Sequence, residues 1–252
     1  MKHINWILCS LILGLASGCG GGSSGSSASD GGTTTDDPQP ESGIGRTGLA
    51  IGPISNFGSV IVNGVRYDTS TATFSIDGAA GTQDDLSVGD IVAITGTIDD
   101  NGVDGTADEV TFDDNVKGPI QGIDPATNQI VVLGQTVLID SDTSFDDSIS
   151  PASIDGLNID DIVEVSGLVD ADGRITATRI ERKPAGTEFE VLGIVSNLDS
   201  ANFLFNVNGL VVNYSGATLD NFAGVQISNG DFVEAEGMSL NGTGQLVATR
   251  VE

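Results

Sequence analysis

Three glycines set the plan of this chain. Gly96, Gly167 and Gly237 lie 71 and 70 residues apart, and each closes the same pattern. It reads Gly89-Asp90-Ile91-Val92-Ala93-Ile94-Thr95-Gly96, then Asp160-Asp161-Ile162-Val163-Glu164-Val165-Ser166-Gly167, then Gly230-Asp231-Phe232-Val233-Glu234-Ala235-Glu236-Gly237. Downstream, Thr106-Ala107-Asp108-Glu109-Val110 repeats as Thr176-Ala177-Thr178-Arg179-Ile180 and Val247-Ala248-Thr249-Arg250-Val251. Upstream, each unit has an apolar run broken by a tight turn at Asn63-Gly64, Leu133-Gly134 or Asn208-Gly209. A fixed period over three units means one supersecondary plan used three times. The folding problem reduces to a unit of roughly 70 residues, of a size that buries only about 60% of its unfolded surface.

Within a unit the pattern predicts five short strands. The first starts at Gly48, Gly118 or Val191. The second and third flank the turn, since Asn-Gly between apolar residues suits a type I′ hairpin. A Leu-x-x-Gly-Asp element, Leu86 to Asp90 in the first unit, leads into the fourth. Alternation in the fourth puts Val92 and Ile94, Val163 and Val165, and Val233 and Ala235 on one face. The terminal glycine continues that face and permits a sharp bend. In the fifth, Ala177 and Ile180 are three apart, so a bulge must intervene if both face inward. Five strands with a linking element between the third and fourth match the partly open Greek-key barrel of the OB type. A less regular small barrel or sandwich is the alternative. The expected fold is therefore all-β, with three tandem OB-like barrels at residues 47–115, 116–184 and 185–252. The junctions, Phe112 to Lys117 and Glu181 to Glu188, are short enough for neighbouring units to pack end to end.

The N-terminus reads as an address. Met1 to Asn5 carry one lysine, Ile7 to Leu15 are apolar, and Leu15-Ala16-Ser17-Gly18 lead into Cys19. That is the pattern of a secretory signal peptide, here residues 1–18, and its ending looks like a bacterial lipobox. By that resemblance the chain is cut before Cys19, which is then lipidated. Gly20 lacks the aspartate associated with inner-membrane retention, so an outer-membrane anchor is expected. Residues 19–46, rich in Gly, Ser, Thr, Asp and Pro, have almost nothing to bury and read as a disordered tether. Its mean reach is roughly 30 Å. Within or beside it, Gly43-Ile44-Gly45-Arg46-Thr47-Gly48 and Gly21-Gly22-Ser23-Ser24-Gly25 match nucleotide-loop and nucleophile-elbow patterns, but neither has the strand and helix that give those motifs meaning.

Cleavage there would remove His3, Trp6 and Cys9, the only histidine, the only tryptophan and one of two cysteines. The mature chain would then lack a disulfide pair, Cys/His zinc ligands and Cys-His or Ser-His-Asp nucleophile systems. Only carboxylate chemistry survives, as in glycosidases, and carboxylates are everywhere. The full chain has a formal charge of −27, and losing Lys2 makes it −28. Such a field repels phosphate backbones and attracts cations and basic surfaces, so no nucleic-acid partner is expected.

Candidate sites follow from the loops that flank the ligand face of OB barrels. In the second unit these bring Asp124, Asp170 and Asp172 together as a metal site, and hard carboxylate oxygens suit Ca²⁺. Asp170-Ala171-Asp172-Gly173 is also what an ordinary turn requires. No other cofactor is expected. Phe57 is a candidate partner contact, set against a plug for the barrel end. Arg66, Arg179 and Arg250 are expected to pair with surface acids.

The run Phe57-Gly58-Ser59-Val60-Ile61-Val62-Asn63-Gly64-Val65-Arg66-Tyr67-Asp68-Thr69-Ser70, with the Gly-Asp-x-Val and Ala-Thr-Arg-Ile stretches, resembles the bacterial family called domain of unknown function 5666. The resemblance spans roughly residues 47–252 and is looser in the third unit, where Asn197-Leu198-Asp199-Ser200 replaces Phe-Gly-Ser. It implies an envelope lipoprotein with OB-like repeats, and it carries over no functional residues. The functional expectation is a non-catalytic, lipid-anchored binding or scaffold protein. It would meet the membrane through its lipid and a protein or glycan partner in the envelope. The alternatives are a carboxylate-dependent glycan hydrolase and a divalent-cation-binding surface protein.

Overall fold

The computed structural model describes residues 46–222, 224 and 226–252; the signal segment, Cys19 and the tether up to residue 45 lie outside the described residues. The first unit contains β1 (Arg46–Asn56), β2 (Val60–Val62), β3 (Val65–Asp68), β4 (Thr73–Ile76), β5 (Ala79–Gly81), β6 (Ile91–Ile98) and β7 (Asp104–Phe112). β1 pairs antiparallel with β2 and β6, β2 with β3, and β6 with β7. A parallel pairing of β3 with β7 then closes a five-stranded barrel.

The second unit repeats this ring with β8 (Val116–Asp124), β9 (Gln129–Val132), β10 (Gln135–Leu138), β12 (Ile162–Val169) and β13 (Ile175–Arg182). The third does so with β14 (Phe189–Asp199), β15 (Leu204–Val207), β16 (Leu210–Asn213), β18 (Phe232–Leu240) and β19 (Leu246–Val251). The chain is thus all-β with three OB-like barrels. The expected alternation is seen: Val92 and Ile94, Val163 and Val165, and Val233 and Ala235 are all buried.

The repeated glycine and the bulge turn out to be one device. β6 and β7 pair Thr95 with Glu109 and then Gly96 with Ala107, so Asp108 is the extra residue. Thr178 and Thr249 are extra in the same place opposite Gly167 and Gly237. The bulge lets Ala107 and Val110, Ala177 and Ile180, and Ala248 and Val251 all face the core. A Cβ on the opposing glycine would collide with the carbonyl oxygen of Thr106, Thr176 or Val247. The glycine is needed because the bulged backbone crowds against it.

One element was not foreseen. A short strand, β4, β11 (Ser144–Phe145) or β17 (Thr218–Leu219), runs parallel to the fifth barrel strand and sets Phe74, Phe145 or Leu219 beside Val110, Ile180 or Val251.

Unit-to-unit packing departs from simple end-to-end stacking. β8 and β14 pair antiparallel, Glu190 with Lys117 and Val191 with Val116, which joins the second and third units into one 12-stranded sheet. Val116 and Val191 are counterparts, since they face Val165 and Ala235 of their own fourth strands. Gly134 and Gly209, the counterpart turn residues, also touch. These two like-with-like contacts define a local two-fold axis. The units share one apolar core, while the first unit has its own. At the turn, Leu133 occupies the left-handed region at φ 44°, where the other units have Asn63 and Asn208. That conformation costs about 1–2 kcal/mol for a branched residue. Complete burial of the leucine side chain over Gly118, in the shared core, offsets it. The first unit docks through Ile91, whose N–H donates to Ser166 Oγ at 2.8 Å, and through Gly89 against the Thr178 carbonyl.

Candidate functional site

Where the three units meet, a lysine is buried among acids. Lys117 takes the register position held by Ile51 in the first unit and Leu192 in the third. Its Nζ lies 2.7 Å from Asp114 Oδ2, 2.7 Å from Glu190 Oε2, 3.2 Å from Asp77 Oδ2 and 4.0 Å from Glu164 Oε2. Asp77 comes from the β4–β5 turn of the first unit, Glu164 from β12 of the second and Glu190 from β14 of the third. All three barrels therefore converge on one ammonium group. Lys183 sits alongside, bound to Glu164 at 3.0 Å and Glu181 at 3.1 Å.

Burial shifts these groups strongly. It pushes the Asp114 carboxyl well above its usual range, helped by the neighbouring Glu190 charge. It raises Glu190 to about 7 against the opposing pull of Lys117, and Glu234 to about 9 with the help of Glu190. For Lys117 burial works against the charge, but Asp114, Glu190 and Asp77 outweigh it and hold the ammonium protonated. Asp77, Asp114 and Glu164 each place a ligand oxygen within 4.8 Å of the others, as a hard cation would require. Lys117 Nζ already supplies a cation there. The arrangement is an internal ionic lock between units, with Asp114 Oδ1 lacking a hydrogen-bond partner among the described residues.

A second feature lies in the seam between the first two barrels. An open cleft of about 430 Å³ is lined by Phe57, Leu86, Val88, Phe145 and Arg179, with Asp146 and Asp147 also on its wall. That volume is within the roughly 300–1,000 Å³ of small-ligand sites. Arg179 is mostly buried; it lies 3.6 Å from Asp90 Oδ1 and 3.3 Å from Glu181 Oε2, and Nη1 donates to the Val88 carbonyl. Burial raises Asp90 to about 6, with the Ser87 N–H and Arg179 pulling the other way. For Asp146, burial raises the carboxyl, but the Ser148 hydroxyl and N–H together with Arg179 and Arg182 outweigh it and hold it below its usual value.

A family model described as domain of unknown function (DUF5666) matches the chain three times, over residues 50–111, 117–181 and 192–252. The chain belongs to this family. Each DUF5666 match begins on the first strand of a barrel and takes in that unit's later strands. No curated protein matches the chain.

The DUF5666 units place the residues singled out from sequence as follows. Phe57 is half-buried, packing partly on the first core while lining the cleft. Asp124 caps its own turn, accepting from Ala126 N–H and Thr127 Oγ1. Asp170 accepts from the backbone N–H groups of Asp172 and Arg174, and Arg174 spans Asp170 and Asp172 at 2.8 and 3.6 Å. Asp124 and Asp170 are engaged in turn chemistry, while the Asp172 carboxylate is exposed. Among the described residues, the carboxylates gathered within 4.8 Å are Asp77, Asp114 and Glu164 instead. Cys19 is outside the described residues. Arg66 pairs at the surface with Asp104 and Arg250 with Asp220, Glu236 and Glu252, whereas Arg179 is buried at a unit seam. Lys117 and Phe145 were missed. A lysine in a strand otherwise apolar at that register was one signal. The recurrence of Ala72-Thr73-Phe74, Thr143-Ser144-Phe145 and Ala217-Thr218-Leu219 was another.

Proposed function

We propose that the chain is a non-catalytic envelope scaffold, tethered by a lipid on Cys19, that holds a basic partner segment in the seam between its first two barrels. The observation that carries this reading is the cleft. Its wall includes two aromatic rings, Phe57 and Phe145, a partly buried Arg179, and the acids Asp146 and Asp147. An apolar anchor rimmed by acids suits a protein segment pairing an apolar side chain with Lys or Arg. The chain's −27 charge would steer such a partner towards it. The Lys117 lock supports the scaffold half, since a rigid three-barrel body keeps the seam preformed. The depressed carboxyl of Asp146 runs against a general-acid role, which needs a raised pKa.

The test is a photo-crosslinking residue in place of Val88, applied in native envelopes. It should capture a defined protein partner; capture should fall in high salt and vanish with Phe57→Ala and Phe145→Ala. Equal capture from a probe at Asp100, on a distant loop, would refute the assignment. The anchor is read separately: Cys19→Ala should release the protein from the membrane fraction, and retention would refute the lipid tether.

A further inference from the structure

The internal two-fold axis joins the second and third units, and the first unit presents the same surface unused. By register with the fourth barrel strand, Ala50 is the counterpart of Val116 and Val191, Leu49 of Asn115 and Glu190, and Ile51 of Lys117 and Leu192. Val116 and Val191 are fully buried across the axis, whereas Ala50 is half-buried and Leu49 is 39% exposed. Gly134 and Gly209 touch one another, whereas a Cβ on Gly64 would meet nothing within 4 Å. β2 pairs with β1 only at Ile54 and Asn56, so the outer edge of Gly48 to Ile51 has no strand partner among the described residues.

The polar groups on that edge are correctly aimed. Asn63 Nδ2 donates to the Ile51 carbonyl at 3.0 Å from the hairpin side, away from β6. In an antiparallel strand the N–H and C=O of one residue point the same way, so the Ile51 N–H faces the free edge too. Its counterpart, the Leu192 N–H, donates to the Asn115 carbonyl across the internal axis at 3.1 Å.

We propose that a second copy of this chain pairs on this edge, first strand to first strand. Ala50 lies opposite Ala50 of the partner subunit, and each Ile51 N–H donates to the carbonyl of the other copy's Leu49. The side chains fit self-pairing better than the internal pair does. Across the internal axis Lys117 meets Glu190 and Asn115 meets Leu192, an asymmetric match between unlike units. A two-fold copy of the first unit sets Leu49 against Ile51 twice, an apolar pair that is its own complement. Exposed sheet edges are ordinarily blunted by lysine, proline or bulges, and Gly48-Leu49-Ala50-Ile51 carries no charge and no proline. The shared negative charge of two copies opposes association, so salt strengthens the dimer.

The test uses the full chain with Cys9→Ser and Cys19→Ser, so that neither native thiol nor lipid contributes. Across a non-hydrogen-bonded pair the two Ala50 Cα atoms lie about 4.5 Å apart, within the roughly 4.4–6.8 Å reach of a disulfide. Ala50→Cys should form an interchain disulfide under mild oxidation, and Asp100→Cys should not. Sedimentation velocity should show a concentration-dependent dimer that tightens with salt. Ile51→Pro, which removes only the outward N–H and leaves the β6 ladder intact, and Leu49→Lys should each weaken it by about tenfold or more, with the circular dichroism spectrum unchanged. A chain that stays monomeric at every concentration and gives no Ala50→Cys crosslink overturns the proposal. So does a dimer indifferent to both variants.

Discussion

Replacing Lys117 with methionine keeps the volume of the side chain and removes the one cation on which three barrels converge. At an effective dielectric constant of about 20, each contact near 2.7 Å is worth roughly 6 kcal/mol of raw attraction. Most of that is offset by burying the ions, and removing one partner of a buried pair typically costs about 3–5 kcal/mol. The stranded carboxylates set a ceiling of their own, because they can take up protons. Holding Asp114 protonated, starting from its ordinary 3.8, costs about 1.36 kcal/mol per pH unit. That is about 6 kcal/mol at pH 8 and about 1.5 kcal/mol at pH 5. Lys117→Met should therefore cost about 3–5 kcal/mol at pH 8 and less than about 2 kcal/mol at pH 5. The wild type has the same sign in milder form. Folding raises Glu190 from 4.5 to about 7, so its contribution is complete below 4.5 and is lost as pH rises through about 7. Urea unfolding followed by far-ultraviolet circular dichroism at the two pH values measures both. Adding Asp114→Asn and Glu190→Gln to the lysine variant should flatten the pH dependence. An equal cost at pH 5 and pH 8, or a cost below about 1 kcal/mol at pH 8, would refute the ionic lock.

Two further outcomes follow from the same geometry. Gly167→Ala drives a methyl into the Thr176 carbonyl at the bulge and should cost about 1–3 kcal/mol, or more if β13 loses its register, while Gly48→Ala, with open space around it, should stay within about 0.5 kcal/mol; chemical denaturation of the two variants checks this. A chain of charge −27 should melt higher in salt than in dilute buffer, and at matched ionic strength Na⁺ and Ca²⁺ should give equal melting temperatures, because Arg174 already bridges Asp170 and Asp172; a Ca²⁺-specific gain abolished by Asp170→Ala would contradict that.

The unit itself was legible from local patterning. Alternation in the fourth strand, the Asn63-Gly64 turn and the three-residue step from Ala177 to Ile180 are nearest-neighbour properties, and they specify a small barrel with a bulge wherever the unit sits. The first-unit cleft residue Phe57 was legible for the same reason, as a ring in a tip loop. The assembly of the units was not. Lys117 reads as a stray charge until β14 brings Glu190 against it and the β4–β5 turn delivers Asp77, partners 73 and 40 residues away. Phe145 and Phe57 line one cleft only because two barrels share a seam. The loop acids Asp124, Asp170 and Asp172 carried the charge expected of a metal site, yet Asp124 and Asp170 accept hydrogen bonds from donors within four residues and Asp172 lies 3.6 Å from Arg174. A repeat encodes its own fold three times over. Which copy binds which depends on the few positions where the copies differ, and only contact in space gives those differences their energy.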